Sequence, residues 1–477
     1  MNQREVDVAI IGAGTAGMTA YEAALRHTDK LVLIEGAGYG TTCARVGCMP
    51  SKLLIAAADA ARNVHEAGRF GIEVPGHAVD GRAVMRRVRM ERDRFAGFVI
   101  DTVHSWPEEH RLHGMARFVS PHVLDVGGHT EVHARRIVIA TGSSPVIPRG
   151  WREAAGNRVI TSDDVFDLET LPASVAVVGA GAIGLEISLA FAQLGVRVRL
   201  LGRRGKIGQL TDPHVREKAR EIVAAMLPFS PESEQVEVKR HGDAVTVGYA
   251  EAGAIRSESF DYLLVAAGRK PNLAELGLAR AGVELGSHGV PKFNRHTGQV
   301  GGSHIFIAGD ADADLPLLHE AADEGRVAGD NAGRFPDIRA YPRRAPLSIV
   351  FSEPQLVIAG QSHQALLEQG TRFEIGEASF DDQGRSRIMG RNRGVIRVYG
   401  EHGTGRFLGA EMIGPAAEHI GHLLAWTAQQ GLTVAQMLDS PFYHPTVEEG
   451  VRTALYRLAR RLRFDPLSVS HCLDCLS

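Results

Sequence analysis

One pattern constrains this chain more than any other. A short apolar strand, a Gly-x-Gly-x-x-Gly turn, a helix and a second strand occur in it twice. In the first copy, residues 6 to 11 form a β-branched run that enters Gly12-Ala-Gly14-Thr-Ala-Gly17. A helical stretch then reaches about Arg26, and the run 31–34 ends at Glu35. Such a βαβ unit uses its glycines for a tight turn, for close approach of backbone to a pyrophosphate, and for close helix-to-strand packing, while the free N–H groups of the helix end face the phosphates. Glu35, 18 residues after Gly17, stands where a carboxylate accepts hydrogen bonds from a ribose. The second copy runs from 175–178 through Gly179-Ala-Gly181-Ala-Ile-Gly184 to a helix ending near Leu194 and a strand at 196–201. Two such units imply two different nucleotides.

At the offset of Glu35 the second unit carries Gly202, followed by Arg203 and Arg204. Arginine there pairs with a 2′-phosphate, and the missing carboxylate weakens the case for an unphosphorylated ribose, so NADP is favoured over NAD. A solvated surface pair of arginines is the plainer alternative. Further strands run into glycine turns at 137–143, which includes Thr141 and Gly142, and at 262–272, which includes Gly268. The run 305–310 ends in Gly309-Asp310. From about Leu347 antiparallel-looking strands appear, with helices expected around 415–430 and 446–462. The expected class is α/β: two Rossmann-like dinucleotide-binding domains plus a C-terminal α+β dimerisation domain. The borders expected are 1–150 and 273–345 for the two parts of the first nucleotide domain, 151–272 for the second, 346–470 for the interface domain and 471–477 for a tail.

With 53 Lys plus Arg against 56 Asp plus Glu, the chain has no basic excess to gather nucleic acid or anionic lipid. The arginine-rich stretch 86–94 has acids interspersed and reads as the wet face of a helix. Acidic residues precede any apolar stretch at the start, and no run of about 18 apolar residues occurs, so a soluble, cytoplasmic protein is expected. Four cysteines fall in two close pairs, Cys43/Cys48 and Cys472/Cys475. A secreted disulfide scaffold of this length would be richer in them, so sulfur chemistry is the stronger reading for the first pair, and no resident metal is expected.

The segment Thr42-Cys43-Ala-Arg-Val-Gly47-Cys48-Met-Pro50-Ser51-Lys52, with Gly12 to Gly17 before it and His444-Pro445-Thr446-Val-Glu-Glu449 near the end, resembles the flavoprotein disulfide reductases, and most closely the dihydrolipoamide dehydrogenases among them. The resemblance covers nearly the whole chain. It implies FAD in the first unit, NAD or NADP in the second, and a homodimer acting on a small dithiol or disulfide or on a lipoyl protein. It further implies that Cys48 faces the flavin, that Cys43 exchanges with the substrate's sulfur, and that Lys52 and Glu186 pair beside the reactive nitrogen. Asp310 would contact the ribityl chain, although an Asp there also suits a helix N-cap. Glu35 would hold the adenosine ribose, and Thr141 and Gly142 would form the return turn.

The chemistry suits these residues. A disulfide across Cys43 and Cys48 accepts two electrons, and Pro50 suits a first helical turn, which would place the Cys48 thiolate near a positive helix end. Thiol exchange needs a proton carrier titrating near neutrality; His444, oriented by Glu449, is the candidate among 21 histidines. By the resemblance His444 would serve the opposite subunit. Three features depart from the dehydrogenase pattern. Gly202-Arg203-Arg204 looks more like glutathione-type reductases, Tyr443 precedes the histidine, and the chain ends in Cys-x-x-Cys, which would act as a redox relay, bind a soft metal as in mercuric-type reductases, or do nothing. The expected activity is FAD-dependent dithiol–disulfide exchange with a nicotinamide nucleotide. An NADPH-dependent reductase of a low-molecular-weight disulfide, a soft-metal reductase and a non-catalytic flavin-bearing subunit are the rivals.

Overall fold

The computed structural model describes residues 2–286 and 289–463. Its class is the mixed α/β one expected, and the chain divides into two compact units. Among the described residues, the first comprises 2–53, 87–146, 268–286 and 289–343, and the second 54–86, 147–267 and 344–463.

The first unit is built on a seven-stranded sheet. Strands Arg111–His113, Leu31–Glu35, Asn2–Ile11 and Thr130–Ile139 lie side by side in that order and run parallel. Val8, Ile10 and the whole of 31–34 are buried, as befits central parallel strands covered on both faces, where each large apolar side chain contributes about 1.5–3 kcal/mol. Thr130–Ile139 is long enough to serve two neighbours: its first residues pair antiparallel with Val123–Val126, and Ile137 to Ile139 pair parallel with Ile305–Ile307. The first strand starts earlier than its apolar run, because Asn2 to Val6 pair with Thr130 to Ala134 even though their outer faces are wet. Helix Thr15–Ala24 packs on helix Leu318–Arg334 at backbone distance: a Cβ on Gly325 would lie 2.1 Å from the Ala16 carbonyl oxygen, and one on Gly329 2.1 Å from that of Ala20.

The second unit repeats the nucleotide-binding pattern in a five-stranded parallel sheet, ordered Phe229–Ser230, Arg197–Leu201, Ser174–Val178, Tyr262–Val265, Val159–Thr161. A three-stranded antiparallel ribbon spans Glu234–His241, Ala244–Glu251 and Ala254–Phe260. The C-terminal part is a five-stranded antiparallel sheet ordered Leu347–Val350, Gln355–Gly360, Phe407–Gly414, Val395–Glu401, Phe373–Ser379. Its core joins Val357, Phe380, Ile396 and Phe407 to Ile420 and Leu424 of helix Ala417–Gln430 and to Leu455 and Leu458 of helix Glu449–Leu462. The arginine-rich stretch lies on helix Gly81–His104, where Arg92 meets Asp93 and Arg94 meets Glu91. No described helix is long and apolar enough to cross a membrane.

Candidate active site

The two cysteines sit at a kink between two helices. Thr41 caps Thr42–Val46 by accepting the Ala44 N–H, and that short helix stops at Gly47, where a Cβ would lie 3.0 Å from the Thr42 carbonyl oxygen. Helix Cys48–Glu66 begins at once, with Pro50 in its first turn, where proline's missing N–H costs nothing. Cys43 is half-buried and Cys48 exposed. The Cys43 thiol hydrogen-bonds to Cys48, and this bond, with burial behind it, pushes Cys43's ionisation well above the usual thiol range, while the Lys52 cation pulls the other way. The Lys52 ammonium also donates to the Ser51 hydroxyl at 3.3 Å. Glu186 lies on helix Ala182–Gln193, is 6% exposed, and accepts the Phe351 N–H at 3.0 Å.

The glycine turns of the two units are built alike. Gly12 has φ +105° and its N–H donates to the Ile34 carbonyl; Gly179 has φ +112° and its N–H donates to that of Leu201. A Cβ on Gly17 would fall 1.8 Å from the Gly12 carbonyl oxygen, and one on Gly184 1.8 Å from that of Gly179. Gly14 and Gly181 are the opposite case, since a Cβ there meets nothing within 4 Å. Their backbones lie open at a helix start, and that is the surface a pyrophosphate needs. Because Ile34 and Leu201 are equivalent, so are Glu35 and Gly202. Glu35 accepts the Ala13 N–H at 2.7 Å and the Ala37 N–H at 2.8 Å, which holds the carboxylate at the turn. A Cβ on Gly202 would come 3.0 Å from the Pro231 carbonyl oxygen and 3.2 Å from the Phe229 ring, so that corner has little room for a carboxylate. Arg203 and Arg204 are exposed beside it.

The return turn completes the first site. Thr141 Oγ1 is buried without a protein partner, Gly142 takes φ +66°, and the Ser143 hydroxyl donates to Asp310 Oδ2 at 2.5 Å. An orphaned hydroxyl, an open glycine backbone and two fixed carboxylates fit a dinucleotide such as FAD, whose hydroxyls and phosphates would satisfy them. Asp310 caps no helix with its side chain: the turn Gly309–Asp312 has no side-chain cap, and its N-cap position is Ala308. Gly268, at φ +116°, precedes Arg269, which holds Ser143 through hydrogen bonds of 2.9 Å to its hydroxyl and 2.7 Å to its carbonyl. Asn272 donates from its side chain to the Thr141 carbonyl at 3.0 Å and from its backbone to Gly142 at 2.9 Å. Ser143, Arg269 and Asn272 were not among the expected site residues. The signal for Arg269 and Asn272 is the polar Gly-Arg-Lys-Pro-Asn run after a buried strand, and for Ser143 its place directly after Thr141-Gly142.

His444 and Glu449 lie together. His444 Nδ1 lies 2.9 Å from Glu449 Oε1, and the carboxylate's other oxygen accepts the Thr446 N–H at 3.0 Å. The imidazole is 73% exposed on this chain and Tyr443 is 82% exposed, while Glu449, heading the last helix, is only 20% exposed. The tail pair Cys472/Cys475 lies outside the described residues. Among the described residues no group of three or more His, Cys, Asp or Glu side chains could hold a metal.

Comparison with known proteins bears on this geometry. Residues 6–325 match the model of the pyridine nucleotide-disulphide oxidoreductases, and 347–455 match their dimerisation domain. The chain is 27% identical to a dihydrolipoyl dehydrogenase of Geobacillus stearothermophilus over 93% of this chain and 94% of that one. It is 29% identical to a mercuric reductase of Acidithiobacillus ferrooxidans over 96% and 84%. Among solved structures, LpdA from Mycobacterium tuberculosis superposes with a TM-score of 0.81 at 23% identity, covering 96% of this chain and all (100%) of that one. The HOCl-induced flavoprotein disulfide reductase RclA from Escherichia coli gives 0.79 at 23%, covering 94% and 99%. At that identity the superpositions speak for the fold.

Proposed function

Because the chain belongs to the pyridine nucleotide-disulphide oxidoreductases, we propose that it exchanges electrons between a nicotinamide nucleotide and a substrate dithiol through Cys43 and Cys48, with dihydrolipoyl groups as the substrate. The family is FAD-dependent and uses NAD(P)H, and its dimerisation domain makes the working form a homodimer. The observation that carries the sulfur chemistry is the hydrogen bond from Cys43 to Cys48 at the head of the Cys48–Glu66 helix. Cys43 keeps its proton, so the pair's first negative charge rests on Cys48, where helix N–H groups and the Lys52 cation favour it.

In the oxidised enzyme a substrate thiolate attacks the Cys43 sulfur. The disulfide breaks and Cys48 leaves as the thiolate. His444 of the partner subunit, held by that subunit's own Glu449, takes the proton of the second substrate thiol. That sulfur then displaces Cys43, whose sulfur takes the proton back from the His444 imidazolium, closing the substrate disulfide and leaving two electrons on the protein's pair as the Cys43 thiol and Cys48 thiolate. FAD, when bound, supplies the two-electron relay from this pair to the nicotinamide. Glu35, Thr141, Gly142 and Asp310 would hold FAD with the Gly12–Gly17 turn. The turn through Gly179, Gly181 and Gly184, with Gly268, would hold the nicotinamide nucleotide, and Lys52 with Glu186 would set the charge beside the flavin. The domain borders drawn from the sequence belong to this reading, as does a cytoplasmic setting, whose reducing pools suit a thiol pair.

A second reading, an NADPH-dependent disulfide reductase, is favoured by the crowded Gly202 and the exposed Arg203 and Arg204. Steady-state assays with dihydrolipoamide, lipoamide and glutathione disulfide against both coenzymes separate the two. Cys48→Ser should abolish turnover and the long-wavelength thiolate–flavin absorbance. A variant that keeps either would refute the proposed chemistry.

A further inference from the structure

Behind the Gly309–Asp310 turn lies a group of carboxyls that the reaction above does not use. Asp312 and Glu324 are 5% and 6% exposed. Asp312 Oδ1 accepts the Asp314 N–H at 2.8 Å, but its Oδ2 is buried with no donor, and the Glu324 carboxyl lies within hydrogen-bonding reach of this side chain. Glu324 Oε2 accepts the Gly309 N–H at 2.9 Å, and Oε1 lies 2.7 Å from the Arg343 guanidinium. Arg343 also meets Glu320 at 2.7 Å and Asp314 at 4.0 Å; Arg295 meets Asp314 at 2.6 Å, and His319 stands 3.8 Å from Glu320 at the rim. Four carboxyls thus face two guanidiniums. A buried acceptor whose neighbour is another acceptor is satisfied by one proton between them.

We propose that Asp312 and Glu324 hold one proton between them at neutral pH, and that this shared proton positions the Gly309–Asp310 turn at the cofactor site. Burial first, and the Glu324 charge second, push Asp312's carboxyl up to about 8. Glu324 is raised as well, chiefly by burial, against the pull of Arg343. With the proton present, Asp312 donates to Glu324, and Glu324 keeps its other oxygen on the Gly309 N–H. When the proton is lost, two carboxylates repel in a buried space where Arg343 is already shared among three acids. Glu324 then withdraws from Gly309, and Asp310 is no longer held toward its ligand. Asp312 and Glu324 are therefore positioning residues. Their effect on cofactor binding rests on the reading above that Asp310 contacts FAD.

The test compares the full-length protein as purified with Asp312→Asn, whose amide donates to Glu324 at every pH, and with Glu324→Gln should the first variant fold poorly. Asp312's pKa is higher folded than unfolded, so its stabilisation is complete below about pH 4 and declines as pH rises to about 8. Between about pH 6 and 8 the wild-type unfolding constant in urea should therefore rise about tenfold per pH unit more steeply than that of the variant. Above about pH 8 the FAD dissociation constant, read from flavin fluorescence, should rise about tenfold in the wild type and stay level in Asp312→Asn, the worth of one hydrogen bond to a charged group. Parallel unfolding curves overturn the shared proton. Divergent curves with equal FAD retention overturn the positioning role. A protein that binds no FAD at any pH refutes the cofactor reading, while its unfolding curves still decide the proton.

Discussion

Gly14→Ala and Gly17→Ala are the same chemical change three residues apart, and the geometry separates their outcomes. At Gly17 the new Cβ would stand 1.8 Å from the Gly12 carbonyl oxygen, against a floor near 3.0 Å, so backbone must retreat by 3.0 − 1.8 = 1.2 Å. No flexible side chain is available to yield. Overpacking of this kind costs about 3 kcal/mol, which lowers Tm by roughly 6–12 °C for a domain of this size. At Gly14 nothing lies within 4 Å and φ is −76°, so alanine fits without strain. Its poorer capping and its stiffer unfolded chain roughly cancel, leaving stability within about 0.5 kcal/mol of the parent. What Gly14→Ala loses is the approach of backbone to pyrophosphate, and a methyl group in that gap should weaken FAD binding by about tenfold or more. Thermal unfolding and flavin-fluorescence titration read the two quantities separately. Equal destabilisation by both variants, or unaltered FAD affinity in Gly14→Ala, would refute the division of labour assigned to these glycines.

Three further outcomes follow from the same geometry. Arg203→Ala should reduce kcat/KM for NADPH about tenfold and leave NADH nearly unaffected, since a lost pairing with phosphate is worth about 1.5 kcal/mol; equal losses with both coenzymes would make Arg203 a surface residue only. Glu449→Gln keeps an acceptor for Thr446 but removes the charge 2.9 Å from His444, so kcat should fall about tenfold with little change in Tm, and an unchanged kcat would detach His444 from the chemistry. Arg62→Met leaves Glu353, whose carboxyl burial already pushes up, with only Arg391 at 3.6 Å. The variant should lose about 2–3 kcal/mol at pH 7 and markedly less at pH 4, where Glu353 takes a proton; urea melts at the two pH values measure this, and a loss independent of pH would contradict it.

How much of this was legible in the sequence depends on how local the physical constraint is. Gly17 answers to the Gly12 carbonyl oxygen within its own turn, so the glycine spacing is legible locally, whereas a Cβ on Gly12 would lie 2.3 Å from the carbonyl oxygen of the distant Ala140. Glu35 and Gly202 are equivalent because each follows a strand bonded to its turn at the same point. His444 and Glu449 are five residues apart, so their pairing is legible in local spacing. The apolar run starts only at Val6, because Asn2 to Glu5 are polar and largely exposed, and the bonds that make them strand come from Thr130 to His133. The polar edge of the ribbon, Glu234–His241, has only Val236 and Val238 as alternating apolar residues to announce it. Ser143, Arg269 and Asn272 form one network from two distant segments, and neither segment carries a period.

Asp312 carries no such local signal. In sequence it is one acid among many in Asp310-Ala-Asp312-Ala-Asp314, indistinguishable from a solvated turn. Gly309, at φ +67°, turns the chain so tightly that a Cβ there would lie 2.9 Å from Ala16 and 3.3 Å from Ala321, and this turn carries Asp312 inward, against helix Leu318–Arg334. On that helix Glu324 directly precedes Gly325, one of the two glycines that let it pack on Thr15–Ala24 at backbone distance, and it is buried. The packing that forms the nucleotide turn therefore also buries two acids beside it. Burial is what converts an ordinary surface pair into one able to keep a proton at neutral pH.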